Sequence, residues 1–128
     1  MTKLPEEVIR AWEDREGPII LTTVNNEGVP DAIYASCVSM YDDEILIVAD
    51  NYFNKTKENI LNECKAAVLF MNKDQESFQI KGDIGYFIEG KYYEDMKGWN
   101  PSRHPGHAAA VISIKKVFSG SKQLAGEE

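Results

Sequence analysis

Alternation and helical spacing of apolar positions divide the chain into short segments. Val8 and Trp12 stand four apart, behind Pro5, Glu6 and Glu7. Residues four apart share one helix face. Proline costs nothing in a helix's first turn, and acids suit its positive end. The spacing predicts a short helix that packs by the Val8–Trp12 face and stops at Gly17-Pro18. Ile19 to Val24 is then a β-rich run, and Asn25-Asn26-Glu27-Gly28 is turn chemistry, because Asn and Gly tolerate positive φ. Extended structure resumes over 30–40, turns at Tyr41-Asp42-Asp43, and returns over 44–50. These three runs predict an antiparallel meander with short turns.

The second half continues in the same way. Residues 51–54 form a polar loop and 55–63 a short helix anchored by Ile60 and Leu61. A fourth strand covers 66–71, a turn 72–76, and a long fifth strand 78–89. Gly82 and Gly85 interrupt that strand, as glycines do at bulges and sharp bends. Residues 92–99 suggest another short helix, 100–107 a Pro- and Gly-containing loop, and 108–118 a final strand. The tail 119–128 reads as frayed. The sum is one domain over 1–128, mainly β: a small barrel of six or so antiparallel strands of Greek-key type, with two or three short helices. Closure removes the exposed sheet edges that invite aggregation.

Composition narrows the partners. With 128 residues and 43% hydrophobic content, the chain suits a single domain with its own core. It carries 21 acidic and 14 basic residues, a formal net charge of -7. Affinity for nucleic acid rests largely on Lys and Arg displacing counterions from phosphate, and no basic stripe is present in the sequence. An anionic membrane surface is disfavoured on the same ground. No apolar run approaches the roughly 20 residues of a membrane helix, and the charged N-terminal stretch lacks the apolar core of a signal peptide. Cys37 and Cys64 stand far apart in no metal-ligand spacing, which fits reduced thiols and a cytoplasmic location.

Chemistry concentrates in residues 48–59, where a strand gives way to a polar loop and then to a helix beginning at Lys55-Thr56. A helix start presents unpaired backbone N–H groups and partial positive charge, so it can receive a phosphate. Lys55 adds a full charge and the Thr56 hydroxyl a further donor. By spacing alone the same residues fit an ordinary helix start capped by Asn54 or Thr56, with Lys55 solvated.

The ordered set of pieces, TTVNNEGVP over 22–30, YDDEILIVA over 41–49, NKTKENI over 54–60 and AAVISIKKVF over 109–118, resembles the pyridoxamine 5'-phosphate oxidase-like family of FMN-binding split barrels. It is closest to the family's short FMN-binding members. The oxidase itself carries a further C-terminal segment with Arg and His substrate contacts. The resemblance implies a homodimer with FMN at the subunit interface. It implies that Lys55 and Thr56, entered from Asn54, hold the phosphate and that Asn59 supports that corner. It further implies that Val48, Ala49 and Asp50 lie along the isoalloxazine and that Tyr34, Ala35 and Ser36 face it. The activity implied is FMN-dependent oxidoreduction or electron transfer, with substrate and electron donor unspecified. Fold and activity are separable. A non-catalytic carrier or sensor for haem or the deazaflavin F420 is the alternative, and a structural protein with a vestigial site is a third.

Other candidates carry two readings each. His104 and His107, three apart, suit ordinary loop histidines, or contacts to a metal, a haem or a substrate over the flavin. Arg103 beside them suits an anionic substrate. Tyr92, Tyr93 and Trp99 suit core or dimer packing, or stacking on a partner's flavin. Cys37 reads as a small buried hydrophobe, with nothing adjacent to lower its pKa.

Overall fold

The computed structural model describes residues 1–127. Its elements run α1 (Glu6–Glu13), β1 (Ile19–Val24), β2 (Pro30–Ala35), β3 (Val38–Asp42), β4 (Ile45–Asp50), α2 (Lys55–Leu61), β5 (Lys65–Met71), β6 (Ser77–Phe87), α3 (Lys91–Trp99), β7 (Ala108–Ser119) and β8 (Lys122–Ala125). All strand pairs are antiparallel, in the order β2-β1-β5-β6-β7-β4-β3, with β8 added beside β7. The extended run expected over 30–40 is broken at Ser36-Cys37 into β2 and β3. β2 pairs with β1 and β3 with β4, so this bend joins the two ends of the strand order and closes the split barrel.

Alternation explains which side chains enter the barrel. In β1, Ile19, Leu21 and Thr23 are buried while their neighbours are half-exposed. β4 is buried at all six positions because both of its faces are covered. Leu46 and Val48 join the interior cluster, and Ile45, Ile47 and Ala49 pack outward with Met96 of α3 and Val111 of β7. Tyr92, Tyr93 and Trp99 pack at the edge of this outer cluster. α1 plugs the interior with Val8 and Trp12, the latter edge-on to Phe70 at 5.2 Å between centroids. In α2 only Ile60 of the two expected anchors is buried; Leu61 is 58% exposed, one residue round the helix from the buried face.

Turns and bulges follow the predicted chemistry. Asn25 Oδ1 accepts from the backbone N–H groups of Glu27 and Val29, and Gly28 takes φ +80°. The β6–β7 register shifts between Lys81 and Gly82, where a β-carbon would stand 2.1 Å from the Ser113 carbonyl oxygen. The tail is not frayed as expected. Gly120, at φ +58°, reverses the chain, β8 pairs back on β7, and Leu124 packs against the interior cluster. Residue 128 lies outside the described residues.

Candidate functional site

β2, the Ser36-Cys37 bend, the end of β4, the loop after it and the start of α2 converge on one cleft of about 390 Å3. Seven of the ten residues singled out by sequence, Tyr34, Ala35, Ser36, Ala49, Asn54, Lys55 and Thr56, line it. Val48 does not: it is the barrel side of β4, buried in the interior cluster. Asp50 and Asn59 do not line the cleft either, and both act from behind it.

Asp50 is 2% exposed and organises the loop. Its Oδ1 accepts from the Phe53 backbone N–H at 2.9 Å, and its Oδ2 accepts from the Tyr86 hydroxyl. Burial first, and then the hydrogen bond to Asp50 and its charge, push the Tyr86 phenol above its ordinary pKa. Asn59 donates from Nδ2 to Thr23 Oγ1 at 3.0 Å, bracing α2 against β1. Asn51 is buried and makes a reciprocal amide pair with Asn100: each Nδ2 donates to the other's Oδ1, at 3.0 and 2.9 Å. Asn51 Oδ1 also accepts the Gly106 N–H at 2.9 Å. These bonds tie the 100–107 loop to the cleft and bring His104 to its wall. His104 Nδ1 lies 3.1 Å from the Tyr52 hydroxyl. His107 is engaged by its backbone, which donates to the Asp50 carbonyl, and its side chain is exposed.

α2 is only seven residues long, and Asn54 makes no side-chain cap. A helix this short has a weak dipole, so anion affinity at the corner falls chiefly to side chains. Lys55 is exposed and makes no ion pair among the described residues. Thr56 is 1% exposed, and its hydroxyl donates to Asp31 Oδ2 at 2.9 Å. A strand rises about 3.3 Å per residue, so the β2 wall from Asp31 to Ala35 runs roughly 13 Å. The cleft is therefore an elongated slot. Its walls carry Ile33, Ala35, Ala49 and Phe53 as apolar surface, and its corner carries a cation and a hydroxyl.

Sequence reasoning did not place Asp31, Ile33, Cys37, Asn51, Tyr52 or Phe53 in the cleft. The period-2 rule carried a signal for two of them, since Asp31 and Ile33 share a strand face with Ala35. Cys37 is half-buried at the bend and lines the cleft, where a core position was expected.

A family model described as pyridoxamine 5'-phosphate oxidase matches residues 5–119. An uncharacterized protein of Methanocaldococcus jannaschii is 31% identical over 125 residues, which cover 93% of this chain and 82% of that protein. Among solved structures, HupZ of Group A Streptococcus superposes with a TM-score of 0.81 at 22% identity, covering 98% of this chain and 99% of that one. An FMN-binding protein of Syntrophomonas wolfei superposes with a TM-score of 0.65 at 21% identity, covering 87% and 82%. At these identities the two solved structures establish the fold.

Proposed function

This chain belongs to the pyridoxamine 5'-phosphate oxidase family, and we propose that within it the protein is a dimeric FMN-binding flavoprotein serving oxidoreduction or electron transfer. One observation carries the proposal: a cleft of about 390 Å3 drawn out along β2, with apolar walls and, at one corner, a lysine that makes no ion pair among the described residues. That shape suits a flat tricyclic ring followed by a polar tail ending in phosphate. Bound FMN would supply the redox chemistry.

The chain's own residues divide into contacts and supports. Lys55 would pair with the phosphate and the Thr56 hydroxyl would donate to it. The small side chains of Ala35 and Ala49 leave room for the ring, and Ser36 and Asn54 offer hydrogen bonds to its polar edge and tail. Val48, Asp50 and Asn59 position these groups from the core. Tyr34 and Tyr52 line the slot while remaining 76% and 72% exposed. Such exposure of large rings beside a ligand site favours closure by a second copy of the chain. Two unpaired cysteines fit a reducing, cytoplasmic setting.

Titration with FMN tests the reading directly. Flavin fluorescence should quench on binding, and Lys55→Ala should weaken FMN by about 1.5–3 kcal/mol, the range for charge-assisted bonds. Riboflavin affinity and the unfolding midpoint should not move. A protein that is colourless and fails to take up added FMN would sink the proposal.

A second reading, a haem carrier, is favoured by His104 on the slot wall. With Nδ1 engaged by Tyr52, His104 would hold the haem iron through Nε2. A Soret band on haem addition, abolished by His104→Ala, would select it.

A further inference from the structure

The phosphate corner holds an acid. Asp31 Oδ2 accepts the Thr56 hydroxyl at 2.9 Å, and Thr56 is almost wholly buried, so this bond takes up the donor that the corner offers. Asp31 lies opposite Thr23 in the β1–β2 register, and Thr23 in turn accepts from Asn59. The carboxylate is thus seated on a braced scaffold. It makes no ion pair among the described residues, so its charge faces the slot together with that of Lys55. One cation and one carboxylate leave the corner close to neutral before any ligand arrives. A phosphate entering it meets a like charge and finds the hydroxyl already engaged.

We propose that Asp31 makes this corner an exchangeable phosphate seat: a flavin phosphate enters by displacing the carboxylate from Thr56, so FMN is taken up and released in turn and not held as a permanent prosthetic group. The inference rests on the FMN reading of the slot and adds to it the way the cofactor is held. Asp31 acts as a specificity-determining residue. It lowers affinity for the phosphorylated flavin and leaves the ring contacts alone, which narrows the preference for FMN over riboflavin.

The test compares wild type with Asp31→Asn, which keeps an acceptor for Thr56 and removes the charge, and with Asp31→Ala, which frees the hydroxyl. Asp31 is half-exposed on a strand that pairs on one side, so neither change threatens the core. FMN and riboflavin are titrated by fluorescence, and inorganic phosphate by the amide shift of Thr56. Asp31→Asn should bind FMN roughly 10- to 100-fold more tightly, bind riboflavin as wild type does, and gain affinity for phosphate. FMN should leave the wild type on dialysis faster than it leaves the variant. An unchanged or weakened FMN-to-riboflavin preference in both variants would overturn the inference. If neither flavin bound either protein, the FMN reading would fall. The phosphate titration would then decide Asp31 by itself, with tighter binding by Asp31→Asn upholding its role and equal binding overturning it.

Discussion

Replacing Asn51 with alanine removes three hydrogen bonds at one stroke. The Asn51 side chain donates to Asn100 and accepts from both Asn100 and the Gly106 N–H. A net contribution of about 1 kcal/mol for each bond gives about 3 kcal/mol. The half-buried Asn100 can turn to water and recover part of its share, whereas the buried Gly106 N–H cannot, and an orphaned buried donor costs about 1–3 kcal/mol. The two corrections oppose one another, so the expected loss stays at about 3 kcal/mol. Because the bonds join the 51–54 and 100–107 loops, the loss should show both as a lower urea midpoint and as local opening. Hydrogen exchange at the Gly106 amide measures the latter. A destabilisation below about 1 kcal/mol with the Gly106 amide still protected would refute the assignment of this clasp as the tether of the His104 wall.

Two further perturbations test the scaffold. Tyr86→Phe leaves one oxygen of the buried Asp50 without its donor and should cost about 1–2 kcal/mol at neutral pH. The raised Tyr86 pKa means that the folded state favours the neutral phenol. That stabilisation is complete below the unfolded tyrosine value of about 10 and is lost as pH climbs past it toward the folded value. Wild type should therefore lose stability above about pH 10 and Tyr86→Phe should lose less, as read by urea unfolding across pH 8–11. Gly82→Ala would thrust a β-carbon to within 2.1 Å of the Ser113 carbonyl oxygen, a backbone atom with little room to yield. A loss of about 3 kcal/mol is expected in thermal or urea unfolding, and a neutral outcome would mean that the β6 bulge can slide.

Most strands were legible because one face of each meets a packed interior, as in β1, where buried and half-exposed residues alternate. The apolar run of β4 was legible as a strand, but not the reason for its continuity, since α3 covers its second face from a distant part of the chain. The bend at Ser36-Cys37 has no glycine or proline to mark it, so one strand was expected where there are two. Leu61 misled because an apolar residue beside a buried one reads as an anchor. At the site, the placing of Lys55 and Thr56 at the start of a helix on the cleft was legible from order and residue type. Asp31 lay two strand positions from Ile33 and four from Ala35, within reach of the alternation rule. The Asn51–Asn100 clasp was not legible, because amide pairing between distant loops leaves no local pattern.

The bend that joins β2 to β3 also bears on how the molecule folds. The β1–β2, β3–β4, β5–β6 and β6–β7 pairs are neighbours in sequence and can zip up early. The β1–β5 and β4–β7 pairs bring together residues as distant as Ile20 with Leu69 and Val48 with Ala110. Such long loops close late, since their entropy is lost before any contact repays it. The slot lies across this late seam, with walls from β2, from the end of β4 and from the loop that leads into β7. A half-assembled barrel therefore has no slot at all, and flavin quenching during refolding would mark the moment of closure.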